Sequence, residues 1–176
     1  MALTSSATLE RIDSRVGTWS LLVAFLAVFL PFIIHNQFIT GPLVNAALII
    51  ILFLGGLRSA AVLAIAPSLM ALAGGLLLPI MAPLVPVIIL SNLVFVGSID
   101  YLYHRLSGAE PYWPAVICGA FFKFAFLFIV TKAVLKFLDQ PKLEALASVM
   151  LSWPQLLSAL LGGIIAYAVL KWLKRI

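Results

Sequence analysis

The order of apolar and polar positions divides the chain into six oily stretches separated by short polar joints. They cover residues 18–34, 42–55, 59–78, 84–103, 114–138 and 151–171. A helix that crosses a bilayer needs about 20 mostly apolar residues. The pattern therefore predicts an all-α membrane protein with six transmembrane helices in a compact bundle. Residues 1–17 read as a polar N-terminal segment and 18–176 as the integral membrane domain. The run 18–34 has no small-x-small cleavage site after it and reads as a retained span. The second stretch is short for a crossing. Either it starts inside the joint before it, or neighbouring helices shield it.

Prolines punctuate this pattern. Pro42, Pro114 and Pro154 stand near predicted helix starts, where a missing N–H costs little. Pro79, Pro83 and Pro86 stiffen the link between the third and fourth stretches, and Pro67 predicts a kink in the third. Trp19, Trp113, Trp153 and Trp172 fall at stretch ends, the level tryptophan prefers in a bilayer.

Composition agrees with the pattern. The 176 residues are 64% hydrophobic and 10% charged, and the mean hydropathy is +1.21. Soluble domains are about a quarter charged, so lipid has to supply part of the solvent. The net charge of +5 is spread between the oily stretches rather than gathered into a nucleic-acid patch. With six spans, Arg11, Arg15, Arg58, Arg105, Lys171, Lys174 and Arg175 share one side; Lys132, Lys136 and Lys142 lie at or beyond the other rim. The positive-inside rule then places both termini in the cytoplasm. Cys118, which reads as a buried thiol, is the sole cysteine, so neither an intrachain disulfide nor a cysteine-rich metal site is available.

The candidate chemistry is polar rather than catalytic. Residues 35–45 put His35, Asn36, Gln37, Thr40 and Asn45 at one membrane face, as a lip or gate over a small-solute site. Amides both donate and accept, which suits a neutral or zwitterionic solute; they equally serve as loop and helix caps. Asn92, two turns into the fourth stretch, fits either a ligand contact or an interhelical hydrogen bond. Lys123 stands near mid-membrane among Phe121, Phe122, Phe124 and Phe126. A lysine there is costly without a partner. It would bind an anionic solute, pair with Asp100, or snorkel along its helix. Stripes of small residues, Ala60-Ala64-Ser68 and Ser158-Gly162-Ala166, suit close helix contact, within the chain or with a partner. His35 and His104 fall on opposite faces, which argues against a bis-histidine haem. No triad, HExxH, phosphate loop or GxGxxG is present, so no enzyme activity, cofactor or metal is expected.

Several of these residues lie in longer motifs. The run Gln37-Phe38-Ile39-Thr40-Gly41-Pro42-Leu43-Val44-Asn45-Ala46 is followed by Pro67-Ser68-Leu69-Met70-Ala71-Leu72. Leu78-Pro79-Ile80-Met81-Ala82-Pro83-Leu84-Val85-Pro86 and Ser91-Asn92 come after. Together they resemble the substrate-binding S components of energy-coupling factor (ECF) transporters, and more narrowly a small prokaryotic membrane-protein group often labelled iron hydrogenase. The resemblance covers roughly residues 20–100, and the remainder by topology.

The resemblance implies six helices, termini in the cytoplasm of a prokaryotic cell, and a vitamin- or nutrient-sized solute captured near the outer face. It implies a membrane coupling subunit and two ATP-hydrolysing subunits as partners. Asn36, Gln37, Thr40, Asn45, Asn92 and Gln155 would face the solute. S components that share a coupling module usually carry Ala-x-x-x-Ala in the first helix. This chain has Ala24 and Ala27 there, and its nearest four-residue spacing is Ala60 and Ala64. The rival readings are an anchoring subunit of a hydrogenase-like redox complex, and an intramembrane enzyme using Lys123 and Asp100 as a proton-handling pair.

Overall fold

The computed structural model describes residues 21–106 and 110–176. The expectations placed on residues 1–20, including Arg11, Arg15 and Trp19, lie outside the described residues. Within these, the chain is helical and contains no strand. The helices are α1 (Leu21–Ile33), α2 (Gln37–Leu63), α3 (Ala66–Ala73), α4 (Val85–Arg105), α5 (Tyr112–Leu138), α6 (Pro141–Met150) and α7 (Trp153–Trp172). A 3-10 turn, Pro79–Leu84, leads into α4.

Four stretches are long and apolar enough to cross a membrane: Gln37–Leu63, Pro79–Arg105, Tyr112–Leu138 and Pro141–Trp172. Large apolar side chains cover the outside, among them Phe121, Phe122, Ile129 and Val62. In water such a coat would be an aggregation surface; in a bilayer it is the face that meets lipid. The fold is that of an all-α membrane protein.

The joint at 35–45 is mostly helix rather than loop. Asn36 caps α2 by accepting from the Phe38 backbone N–H at 3.0 Å. The helix therefore starts five residues before Pro42, which sits inside it. This early start resolves the shortness of the second stretch: residues 37–55 rise roughly 28 Å at 1.5 Å per residue.

At Gly56 the backbone leaves helical geometry (φ 77, ψ 175), a conformation that favours glycine. Beyond it the chain turns back. Gly74, just after α3, lies against Phe32, and its carbonyl accepts a hydrogen bond from the His35 ring. It can do so only if residues 57–73 return towards the end from which α2 set out. The returning limb is interrupted between Leu63 and Ala66, immediately before Pro67, where the missing N–H and the ring disfavour a continuous helix.

The joint between the fifth and sixth oily stretches is not a simple loop: Pro141–Met150 form the ten-residue helix α6. Asp139 ends α5 in the left-handed conformation (φ 45), and Pro141 opens α6. Leu143 and Ala147, one turn apart, are buried in a cluster with Met81, Leu84 and Leu127. That cluster closes the end of the bundle that carries His35 and Gly74, here called the lid end. The larger cluster, around Leu48, Phe95, Ile99 and Leu170, fills the rest of the core.

The small-residue stripes are spent inside the chain. Ala60, Ala64, Ser68, Ser158, Gly162 and Ala166 are all buried. A Cβ at Gly162 would lie 2.6 Å from Asn45 Cβ and 2.8 Å from the Pro42 carbonyl oxygen, so α7 meets α2 almost backbone to backbone. Cys118, contrary to the sequence reading, is exposed on α5.

Candidate solute-binding cavity

Three side chains from three helices converge near mid-bundle. Asn45 stands on α2, Asn92 on α4 and Lys123 on α5, each at most 4% exposed. Lys123 Nζ donates to Asn45 Oδ1 at 2.6 Å and to Asn92 Oδ1 at 2.7 Å. An ammonium only donates, so both amides must turn their oxygens towards it. Their NH2 groups then face away. Asn45 Nδ2 donates to Ser158 Oγ at 2.9 Å, and Ser158 donates on to the Gln155 carbonyl at 3.2 Å. Asn92 Nδ2 reaches the Ala64 carbonyl at 3.4 Å and Ser68 Oγ at 3.5 Å, two long contacts. Ala64 lies at the break before Pro67. The Phe95 ring lies 5.1 Å from Lys123 Nζ and adds a cation–π contact.

The cluster borders a cavity of about 90 Å³ on its lid-end side. The space is several times what one water needs, so it admits a small solute. Lys123, Asn45, Asn92, Thr40, Gln37 and Gln155 supply its polar wall; Val44, Leu76, Leu77 and Ile88 supply much of the apolar one.

The lid is stitched by two of these residues. Gln37 Nε2 donates to the Met150 carbonyl at 2.7 Å, and Gln155 Nε2 donates to the same oxygen at 3.1 Å. Met150 is the last residue of α6, where carbonyls lack helical partners. Thr40 is buried, and its one hydroxyl proton is shared between the Asn36 and Ile34 carbonyls at 2.7 and 2.9 Å, fixing the turn between α1 and α2.

Of the seven residues singled out from the sequence, six line the cavity: Gln37, Thr40, Asn45, Asn92, Lys123 and Gln155. Asn36 does not. It is exposed and occupied as the α2 cap. His35 is also exposed, held to Gly74. The Lys123–Asp100 pair is not formed. Asp100 sits one turn from His104, with His104 Nδ1 3.7 Å from its Oδ1. Lys123 does not snorkel either, being 3% exposed with its ammonium held by the amides.

The sequence reading missed Ser68 and Ser158 as hydrogen-bond partners, taking them only as small packing residues. It also missed the Met150 carbonyl, which no side-chain pattern reports. Among the described residues no three His, Cys, Asp or Glu side chains gather as a metal site. No protein-family model, curated protein or solved structure matches this chain.

Proposed function

We propose that this protein is the solute-binding membrane subunit of an ECF-type importer, capturing a nutrient-sized solute from the outer face of a prokaryotic cell membrane. The observation that carries the reading is the buried Lys123–Asn45–Asn92 cluster facing a cavity lined mostly by apolar side chains. Polar groups this deep in an apolar bundle are expensive, and lining a cavity with them suits recognition better than packing.

In this reading the bundle crosses the membrane six times. α1 makes the first crossing, the two limbs of α2–α3 about Gly56 the second and third, and α4, α5 and α7 the remainder. Both termini are cytoplasmic and the lid end faces outward. A solute enters beneath α6 and the Gln37–Met150–Gln155 contacts. A membrane coupling subunit, driven by two ATP-hydrolysing subunits, re-exposes the cavity to the cytoplasm. The chain itself hydrolyses nothing. Ala60 and Ala64 are buried, so docking to a coupling subunit uses another surface.

The test is to purify the protein in mild detergent, denature it and identify the released small molecules by mass spectrometry. One compound recovered in near-stoichiometric amount, and reduced at least tenfold in Asn92→Ala, supports the reading. Equal recovery from both proteins, or none from either, contradicts it.

A further inference from the structure

The cavity has an unusual charge balance. Among the described residues its only ionisable lining group is Lys123. Among the described residues the acids are Asp100, Glu110, Asp139 and Glu144, and none lines the cavity. The ammonium is thus buried on neutral partners alone: two amide oxygens and an aromatic face. A buried cation without an anion is poorly compensated, because neutral dipoles replace only part of its hydration.

Donor bookkeeping points the same way. An ammonium has three N–H groups, and hydrogen bonds to Asn45 and Asn92 use two. Asn92 Nδ2 is held only by contacts of 3.4 and 3.5 Å, close to the limit for a hydrogen bond. Lys123, with one N–H left over in its charged form, and Asn92, with a loosely engaged NH2, both line the one largely apolar cavity. What they lack is an acceptor that also carries negative charge.

We propose that the solute is a small monoanion, a carboxylate on a compact apolar body, held by Lys123 Nζ and Asn92 Nδ2. This rests on the solute-binding reading above and narrows it. The carboxylate neutralises Lys123. The apolar body lies against Val44, Leu76, Leu77 and Ile88. A dianion would leave one charge uncompensated, and a cation would face Lys123 directly.

Three probes of one shape separate the possibilities: benzoate, benzamide and benzamidinium, each with nine heavy atoms and differing mainly in charge. Binding to the purified, ligand-stripped protein is measured by calorimetry at fixed ionic strength. Benzoate is expected to bind at least tenfold more tightly than benzamide, and benzamidinium not to bind. In Lys123→Met, benzoate's advantage over benzamide is expected to fall below threefold. The ranking in the unaltered protein stands even if that variant fails to fold.

Benzamide binding as tightly as benzoate, or benzamidinium binding best, overturns the anion assignment while leaving a solute-binding protein. Failure of all three to bind overturns the assignment too. The solute-binding reading is judged separately, by the compound recovered on denaturation.

Discussion

Lys123 Nζ lies 2.6 Å from Asn45 Oδ1, joining the middle of α5 to the first limb of α2 across 78 residues of chain. Asn92 on α4 closes the same contact from a third helix. One ammonium thus ties three helices together where no acid among the described residues lines the cavity beside it. The tie and the cavity share atoms, so stability and binding are coupled here.

That coupling is measurable. Asn45→Leu leaves the ammonium with one amide oxygen, and it is expected to destabilise the protein by about 2–3 kcal/mol, in line with a lost hydrogen bond to a buried charge. Adding Lys123→Met removes the charge itself. The double variant is expected to be at least about 1 kcal/mol more stable than the sum of the single effects predicts. Reversible unfolding in detergent provides the cycle; strict additivity would mean that the two side chains do not interact.

Glycines supply a second prediction, with opposite signs at different positions. Gly162→Ala puts a methyl group 2.6 Å from Asn45 Cβ, so α7 must move off α2. A loss of about 1–3 kcal/mol is expected, as for other overpacked cores. Gly97→Ala on α4 meets nothing within 4 Å and is expected to be neutral or to stabilise by up to about 1 kcal/mol. Thermal unfolding of the two variants side by side decides it.

Gly56 tests the turn between the limbs of α2 and α3. A methyl group there has open space, yet φ is +77. Gly56→Ala is expected to cost about 1–3 kcal/mol through backbone strain alone. An unchanged midpoint of thermal unfolding would mean that the turn adopts another conformation.

The lid gives a dynamic prediction. Gln37 and Gln155 both donate to the Met150 carbonyl, and α6 otherwise rests on Leu143 and Ala147. In the double variant Gln37→Ala, Gln155→Ala, amide hydrogen exchange in α6 is expected to quicken by about tenfold, while exchange in α4 and α5 stays unchanged. Uniform acceleration across all helices would instead indicate general destabilisation.

The apolar stretches located the helices because a bilayer demands long oily runs, and prolines marked where they begin or break. Asn45, Asn92 and Lys123 stood out because amides and ammonium groups are costly in oil; their convergence follows from packing that no single stretch reveals. Asn36 looked like its neighbours in composition but was consumed by a helix cap, a local backbone need. Lys123 was open to three partners in the sequence. Asp100 lay too near the far end of α4, and Phe95 and Asn92 met the lysine first. α6 was invisible as a helix because it is short and mixed in polarity, and its place as a lid depends on Leu143 and Ala147 meeting residues distant in the chain.

The most direct test of the central claim is native mass spectrometry of the gently purified protein beside Lys123→Met. The account predicts one low-mass adduct on the unaltered protein, released on mild activation and absent from the variant. Identical adduct-free spectra from both proteins, or the same adduct on both, would contradict it.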